Sequence, residues 1–197
     1  MLLDISGTLA SLLATWLFIR INRKAWLVSM LATILNAWLY WQKGIYADMT
    51  LESFYFISTG YGWLTWRKPH KNQPGEISNL TGMQWIILGF AVLILFTAIM
   101  WVLQRYTSSN IASLDALTTS LSLVAQWLMC YKITATWILW LITDAIYAYL
   151  YLVKELPFHV VLMCAYLAMA AAGYRIWVKR QKQILSLTPT EPLTYFS

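Results

Sequence analysis

The stretch Trp127–Lys154 reads W-L-M-C-Y-K-I-T-A-T-W-I-L-W-L-I-T-D-A-I-Y-A-Y-L-Y-L-V-K. It is apolar and aromatic over the length of a bilayer crossing, yet it carries Asp144 with no cation near it in sequence. A carboxylate at mid-span costs about 2.5–3.5 kcal/mol on insertion scales, so it must face a bundle interior or water. Beyond Pro157 a second apolar run closes in G-Y-R-I-W, Gly173–Trp177. These residues point to a membrane protein with an internal cavity.

The whole chain agrees. Its 197 residues are 60% hydrophobic and 11% charged, against roughly 25% charged in soluble domains. Lipid must cover the excess apolar surface. A net charge of +6 is the mark of basic loops beside a membrane, and no nucleic-acid partner is expected. Cys130 and Cys164 lie in apolar runs without a Cys-x-x-Cys or Cys/His cluster, so neither metal nor a disulfide framework is indicated. The first segment lacks a basic start, holds Asp4 and shows no cleavage site, so it is not read as a secretory signal.

About seven spans of roughly 20 residues fit the hydropathy, all of them helical. Residues 1–66 hold the first three, near 5–19, 25–41 and 49–66. Residues 67–80 form a polar loop, and 81–104 a linking helix. Residues 111–178 hold the last three, near 111–131, 134–153 and 157–178, and 179–197 form a frayed cytoplasmic tail. With this count, Arg20, Arg23, Lys24, Arg67, Lys68, Lys71, Lys132, Arg175, Lys179, Arg180 and Lys182 share one side. Only Lys43, Arg105 and Lys154 remain on the other. The positive-inside rule then places the N-terminus out and the C-terminus in.

The chain also repeats itself. A slide of 111 positions brings Ser11 onto Ser122, Ala14 onto Ala125, Trp16 onto Trp127, Trp26 onto Trp137, Tyr40 onto Tyr151 and Lys43 onto Lys154. A further shift of two brings Gly60-Tyr61 onto Gly173-Tyr174 and Arg67 onto Arg180. Segments 1–3 thus recur as 5–7. The intervening span restores their orientation, as in a 3+1+3 parallel duplication of triple-helix bundles with a site between them.

Asp144 is the sharpest candidate for that site. Trp140 precedes it by four positions, and Tyr147 and Tyr151 follow on the same helical stripe. An acid among aromatic faces suits a flat cationic ring. A silent hydrogen bond to a neighbouring helix is the plain alternative, as an aromatic core is for Trp137, Trp140 and Tyr147. Asn36 and Gln126 join the constellation, although amides in hydrocarbon also serve simply to bond helices together. Thr33 is the repeat mate of Asp144. Glu52 and Tyr61 are expected along the path, and Asp115 at the outer mouth. His70 and His159 are loop or segment-end residues for which no partner is expected. No metalloprotease, hydrolase or phosphate-loop pattern is present. An enzyme is therefore not expected, and no cofactor either. A membrane enzyme would need a metal or base cluster, whereas a non-transporting scaffold would tolerate loss of Asp144.

Gly44–Trp66, closing in Tyr-Gly-Trp-x-x-Trp, resembles the first-half signature of the nicotinamide riboside transporter (PnuC) family. Leu121–Trp140, Asp144 and the G-Y-R-I-W close resemble the second half. The resemblance covers nearly the whole chain apart from the fourth segment and the tail. It implies a SWEET-like fold, often a homotrimer, in the bacterial inner membrane. It also implies facilitated diffusion of a vitamin precursor, trapped inside by a cytoplasmic kinase. Glu52 stands where the family commonly has Gln, and Asp144 where Asn or Asp is found. Extra acid fits a small cationic vitamin or nucleoside. Nicotinamide riboside and thiamine are both cations, so charge does not separate them, and nicotinamide riboside is favoured on family prevalence.

Overall fold

The computed structural model describes residues 2–42, 46–67, 77–106, 112–153, 155 and 157–187. Among these, seven helices follow one another: α1 (Leu2–Ile19), α2 (Lys24–Gln42), α3 (Tyr46–Arg67), α4 (Gly82–Tyr106), α5 (Ala112–Cys130), α6 (Ala135–Val153) and α7 (Pro157–Leu187). Lys43, Lys68, His70, Lys71, Lys154 and residues 188–197 of the expected 179–197 tail lie outside the described residues. The expected tail is corrected at its start, because α7 continues unbroken from Trp177 to Leu187.

Local chemistry sets several boundaries. The Asn22 carboxamide oxygen accepts the Lys24 N–H at 2.9 Å where α2 begins. Thr81 and Gln84 bond each other's backbone N–H at the head of α4, a capping box that satisfies two orphan donors. Pro157 opens α7, where its missing N–H costs nothing. Ile21 and Lys132 close α1 and α5 in the left-handed region, at φ 56° and 55°. The Asn22 and Ile133 N–H groups then reach back to the Leu17 and Leu128 carbonyls at 3.0 and 3.1 Å, the six-to-one bond of a Schellman end.

Helices α4, α6 and α7 are each long and apolar enough to cross a membrane, and α1 holds a shorter apolar run, Ile5–Ile19. Helices α2, α3 and α5 fall below that mark. They carry Asn36, Glu52, Tyr55 and Gln126, which line an internal cavity rather than meet lipid. The chain is an all-α membrane protein.

Packing runs α1–α2–α3–α5–α6–α7 and back to α1, a closed ring of six helices. Helix α4 stands outside it, against α5 alone among the described helices, with Leu88, Val92 and Leu95 on the apolar cluster of Leu121, Val124 and Leu128. No α4 residue is buried, and Met83, Ile86, Ile87, Phe90, Ile94 and Trp101 are exposed, as on a lipid-facing helix.

The ring is built from two equivalent halves. Trp66 donates its indole N–H to the Met129 and Cys130 carbonyls at 3.2 and 3.1 Å. Trp177 donates to the Phe18 and Ile19 carbonyls, both at 3.2 Å. Each of these residues lies 111 positions from its counterpart. Tyr55 bonds Ser122 and Tyr166 bonds Ser11, again 111 apart. Contacts reciprocated in this way are those of a two-fold relation. Gly62 lies against Trp26, and Gly173 against Trp137. The expected two-residue shift is therefore wrong. Gly62 pairs with Gly173 and Trp66 with Trp177 at a constant 111, because the glycine must sit under the indole of the preceding helix.

The core gathers at the basic end of the ring. Phe18, Trp26, Trp66, Met129, Trp137 and Trp177 pack there with Ile77. Phe18 meets Trp26 edge-on at 4.7 Å, and Trp137 meets Trp177 edge-on at 5.4 Å. The indole N–H groups of Trp26 and Trp137 are buried without a partner among the described residues.

Candidate functional site

One stripe recurs on each pair of equivalent helices. On α6 it runs Trp137, Trp140, Asp144, Tyr147 and Tyr151, and on α2 Trp26, Ser29, Thr33, Asn36 and Tyr40. On α3 it runs Glu52, Tyr55, Thr59, Gly62 and Trp66, and on α7 Met163, Tyr166, Ala170, Gly173 and Trp177. Alternating steps of three and four keep each stripe on one helix face. Its upper members line a cavity of about 800 Å³ inside the ring, within the range of roughly 300–1,000 Å³ usual for small-molecule sites. Phe18, Met129, Trp137 and Ala170 form its floor, shared with the aromatic core. Tyr40, Leu51, Glu52, Asp115 and Tyr151 line it towards the opposite end.

Asp144, Asn36, Gln126, Trp137, Trp140, Tyr147 and Glu52 all line this cavity. Asp144 is 9% exposed, and no hydrogen-bond or ion-pair partner meets its carboxylate among the described residues. Asn36 donates from its amide to Glu52 Oε1 at 3.3 Å, and its oxygen is seated against Gly7. Gln126 donates to Ser58 Oγ at 3.3 Å, from α5 to α3. Tyr147 stacks on Tyr151 with centroids 6.1 Å apart. Trp137 is 1% exposed and contributes only to the floor. Asp115 also lines the cavity.

Tyr61 does not belong to it. Tyr61 is exposed, stacks parallel on Trp127 at 5.5 Å and bonds Tyr131 through the two hydroxyls. Six positions beyond Tyr55, it is rotated by roughly 240° around the helix, off the stripe that faces the cavity. Tyr55 and Tyr166 do line the cavity, beside Tyr40, Tyr147 and Tyr151. Pairing the halves at an unbroken 111 would have found them, since they are mates in that register. His159, for which no partner was expected, packs on Tyr151 at 5.0 Å.

The two walls are unlike. The second half offers Trp140, Asp144 and Tyr147 where the first offers Ser29, Thr33 and Asn36. Three carboxylates line the cavity, those of Glu52, Asp115 and Asp144, and no Lys, Arg or His does among the described residues. Such a lining attracts a cation and repels an anion. Among the described residues no group of three metal-ligating side chains is found.

A ring of repeated halves around a ligand-sized cavity is an arrangement found among solute carriers. The sequence profile of the family described as Nicotinamide mononucleotide transporter matches residues 1–179. The chain belongs to that family, whose members named here are transporters and not enzymes. It is 24% identical over 171 residues to the Nicotinamide riboside transporter PnuC of Neisseria mucosa, a match that spans 80% of this chain and 65% of that protein. The fold is that of the solved structure described as the vitamin B3 transporter PnuC, with a TM-score of 0.75 at 20% identity over 92% of this chain and 82% of the other.

Proposed function

We propose that this protein carries nicotinamide riboside across the bacterial inner membrane by facilitated diffusion. The reading rests above all on the cavity's charge: three carboxylates and no cation among its described lining residues. A nucleotide phosphate would meet Asp144 and Glu52 without a counter-charge, at a desolvation cost nothing offsets. The pyridinium riboside has no phosphate and brings a positive ring. Trp140 and Tyr147 stack on that ring beside the Asp144 carboxylate, while Ser29, Thr33, Asn36 and Glu52 hold the ribose hydroxyls. Gln126 and Trp137 complete the wall and floor. Unlike walls give the ligand one orientation.

In this reading the halves are SWEET-like triple-helix units that alternate access around a midplane site. The basic end faces the cytoplasm, with the N-terminus out and the C-terminus in. The domains are those of the sequence, 1–66 and 111–178 joined by 81–104. A cytoplasmic kinase traps the riboside by phosphorylation, and three copies assemble as a homotrimer.

Thiamine is the second candidate, because its thiazolium ring is also a cation. Proteoliposomes loaded with purified protein and offered labelled nicotinamide riboside, nicotinamide mononucleotide and thiamine decide between them. Saturable uptake of the riboside alone is the expected result. Uptake of the mononucleotide at a comparable rate would refute the charge argument, and uptake of thiamine alone would reassign the substrate.

A further inference from the structure

Two seams join the halves of the ring, α3 against α5 and α1 against α7. They are equivalent by the repeat, and both carry an indole latch and a Tyr–Ser bond. In everything else they differ.

The α3–α5 seam is heavily bonded. Gln126 donates to Ser58 at 3.3 Å, and the Thr65 hydroxyl, whose nearest acceptor is the Gly62 carbonyl of its own helix at 2.9 Å, also lies 3.2 Å from the Cys130 carbonyl. The Cys130 thiol, 3.3 Å from the Gln126 carbonyl of its own helix, also lies 3.7 Å from the Ser58 carbonyl. Tyr61 stacks on Trp127 and bonds Tyr131. Residues 77–80 add a short strap at the basic end, on the α5–α6 turn. Ser78 donates its N–H to the Lys132 carbonyl at 3.2 Å and accepts from the Thr134 N–H at 3.0 Å, while Ile77 is buried in the aromatic core.

At the α1–α7 seam the counterparts of these groups make no such bonds across it among the described residues. Thr65 is matched by Ile176, Ser58 by Met169, Cys130 by Ile19 and Tyr61 by Ala172. Gln126 is matched by Thr15, whose hydroxyl bonds its own helix at Ser11. Tyr131 is matched by Arg20, which lies over Trp16 instead, 4.2 Å from the ring centroid. What remains among the described residues is Trp177 on the Phe18 and Ile19 carbonyls, and Tyr166 on Ser11.

From this difference we infer that the α3–α5 seam is a fixed hinge and that the basic end opens at α1–α7, with the Trp177 indole as its latch. Trp66 makes the same bond in the other half but holds a seam that other groups already close. The cavity floor lies directly on this latch, through Phe18, Trp137 and Ala170. Release of Trp177 from α1 therefore uncovers the cavity towards the basic side. The halves swing about one seam rather than rock symmetrically about two.

The inference rests on the cavity being a transport path. Its test does not need uptake. A Ser29→Cys variant, free of both native cysteines, places one thiol in the cavity. A membrane-impermeant maleimide is applied to right-side-out and everted vesicles, with a Lys179→Cys control marking the basic face. Trp177→Phe keeps the ring and removes the donor. It should raise labelling from the basic face by about fivefold, the weight of one net hydrogen bond, with Trp66→Phe changing it less than about twofold. An equal or larger rise with Trp66→Phe overturns the inference. If Trp177→Phe does not insert, spin-label pairs decide with both indoles intact. Distances between Arg20→Cys and Tyr174→Cys should spread into two populations, and those between Leu64→Cys and Leu123→Cys should stay single. Spreading of the second pair as wide as the first also overturns it. Uptake that fails while the labelling pattern holds would count against the transport reading and leave the seam assignment standing.

Discussion

Thr33 and Asp144 hold equivalent places in the two halves, 111 positions apart, both buried against the same cavity. The neutral hydroxyl turns back to its own helix, bonding the Met30 carbonyl at 2.9 Å. The carboxylate makes no hydrogen bond or ion pair among the described residues, with Tyr166 its electrostatic neighbour. At this position one half of a duplicated scaffold carries an acid and the other a neutral hydroxyl.

Asp144→Asn keeps the shape of that wall and removes its charge. The expected result is a KM for the cationic riboside raised roughly 10-fold, about 1.4 kcal/mol, with the fold unchanged. Concentration-dependent uptake in proteoliposomes measures it. An unchanged KM would remove Asp144 from the site.

Moving the charge tests the orientation. In a Thr33→Asp/Asp144→Thr double variant the carboxylate faces the same cavity from the other half. Its neighbours there are Ser29 and Asn36 instead of Trp140 and Tyr147, so the ring cannot stack where the charge now lies. Uptake should stay at or below that of Asp144→Asn. Recovery to the wild-type KM would show that charge matters and its wall does not.

The glycines under the indoles make a stability prediction. A Cβ at Gly173 would stand 2.7 Å from the Trp137 ring, and one at Gly62 would collide with Trp26. Alanine at either place should cost about 1–3 kcal/mol by overpacking. Gly60 meets nothing within 4 Å, and there alanine should stabilise the helix by about 0.5–1 kcal/mol. Thermal unfolding in detergent, followed by tryptophan fluorescence, should rank the three variants with Gly60→Ala above wild type.

Lys132 offers a pH test at the α5–α6 turn. Burial pushes its ammonium below the ordinary lysine range, although it lies 5.1 Å above the Trp66 ring. Below the lowered folded pKa the group is charged in both states, and the folded state bears the desolvation cost. As pH rises from there towards the unfolded value the unfolded chain binds more protons, so stability rises. Wild type should therefore gain thermal stability through the alkaline range relative to Lys132→Met. Parallel pH profiles for the two proteins would contradict this.

Much of the molecule was legible in the residues because lipid imposes a simple rule. A run as apolar as Met83–Leu103 has to cross a bilayer, and a carboxylate inside one has to face inward. That rule turns Asp144 inward from the sequence alone, and Asn36, Gln126 and Glu52, expected beside it or along the path, line the same cavity. It failed for Tyr61. Aromatic and apolar side chains suit both a cavity wall and a lipid-facing surface, so composition does not say which way a tyrosine points. The two-residue shift failed for a related reason. It matched one Gly-Tyr doublet to another, while the packing constraint lies in the glycine that admits an indole.

By itself the sequence determined that the chain is a helical membrane protein, that its halves are repeats, and that one buried acid breaks their equivalence. Tertiary structure alone decided the closed six-helix order, the constant register of the repeat, and Tyr55 and Tyr166 rather than Tyr61 on the cavity. It also decided which carbonyls the two indoles cap. The physical reason is that hydropathy records how a residue tolerates lipid or water, one helix at a time. Which face meets which neighbour depends on a helix in the other half, more than sixty positions away for Trp66 and Met129.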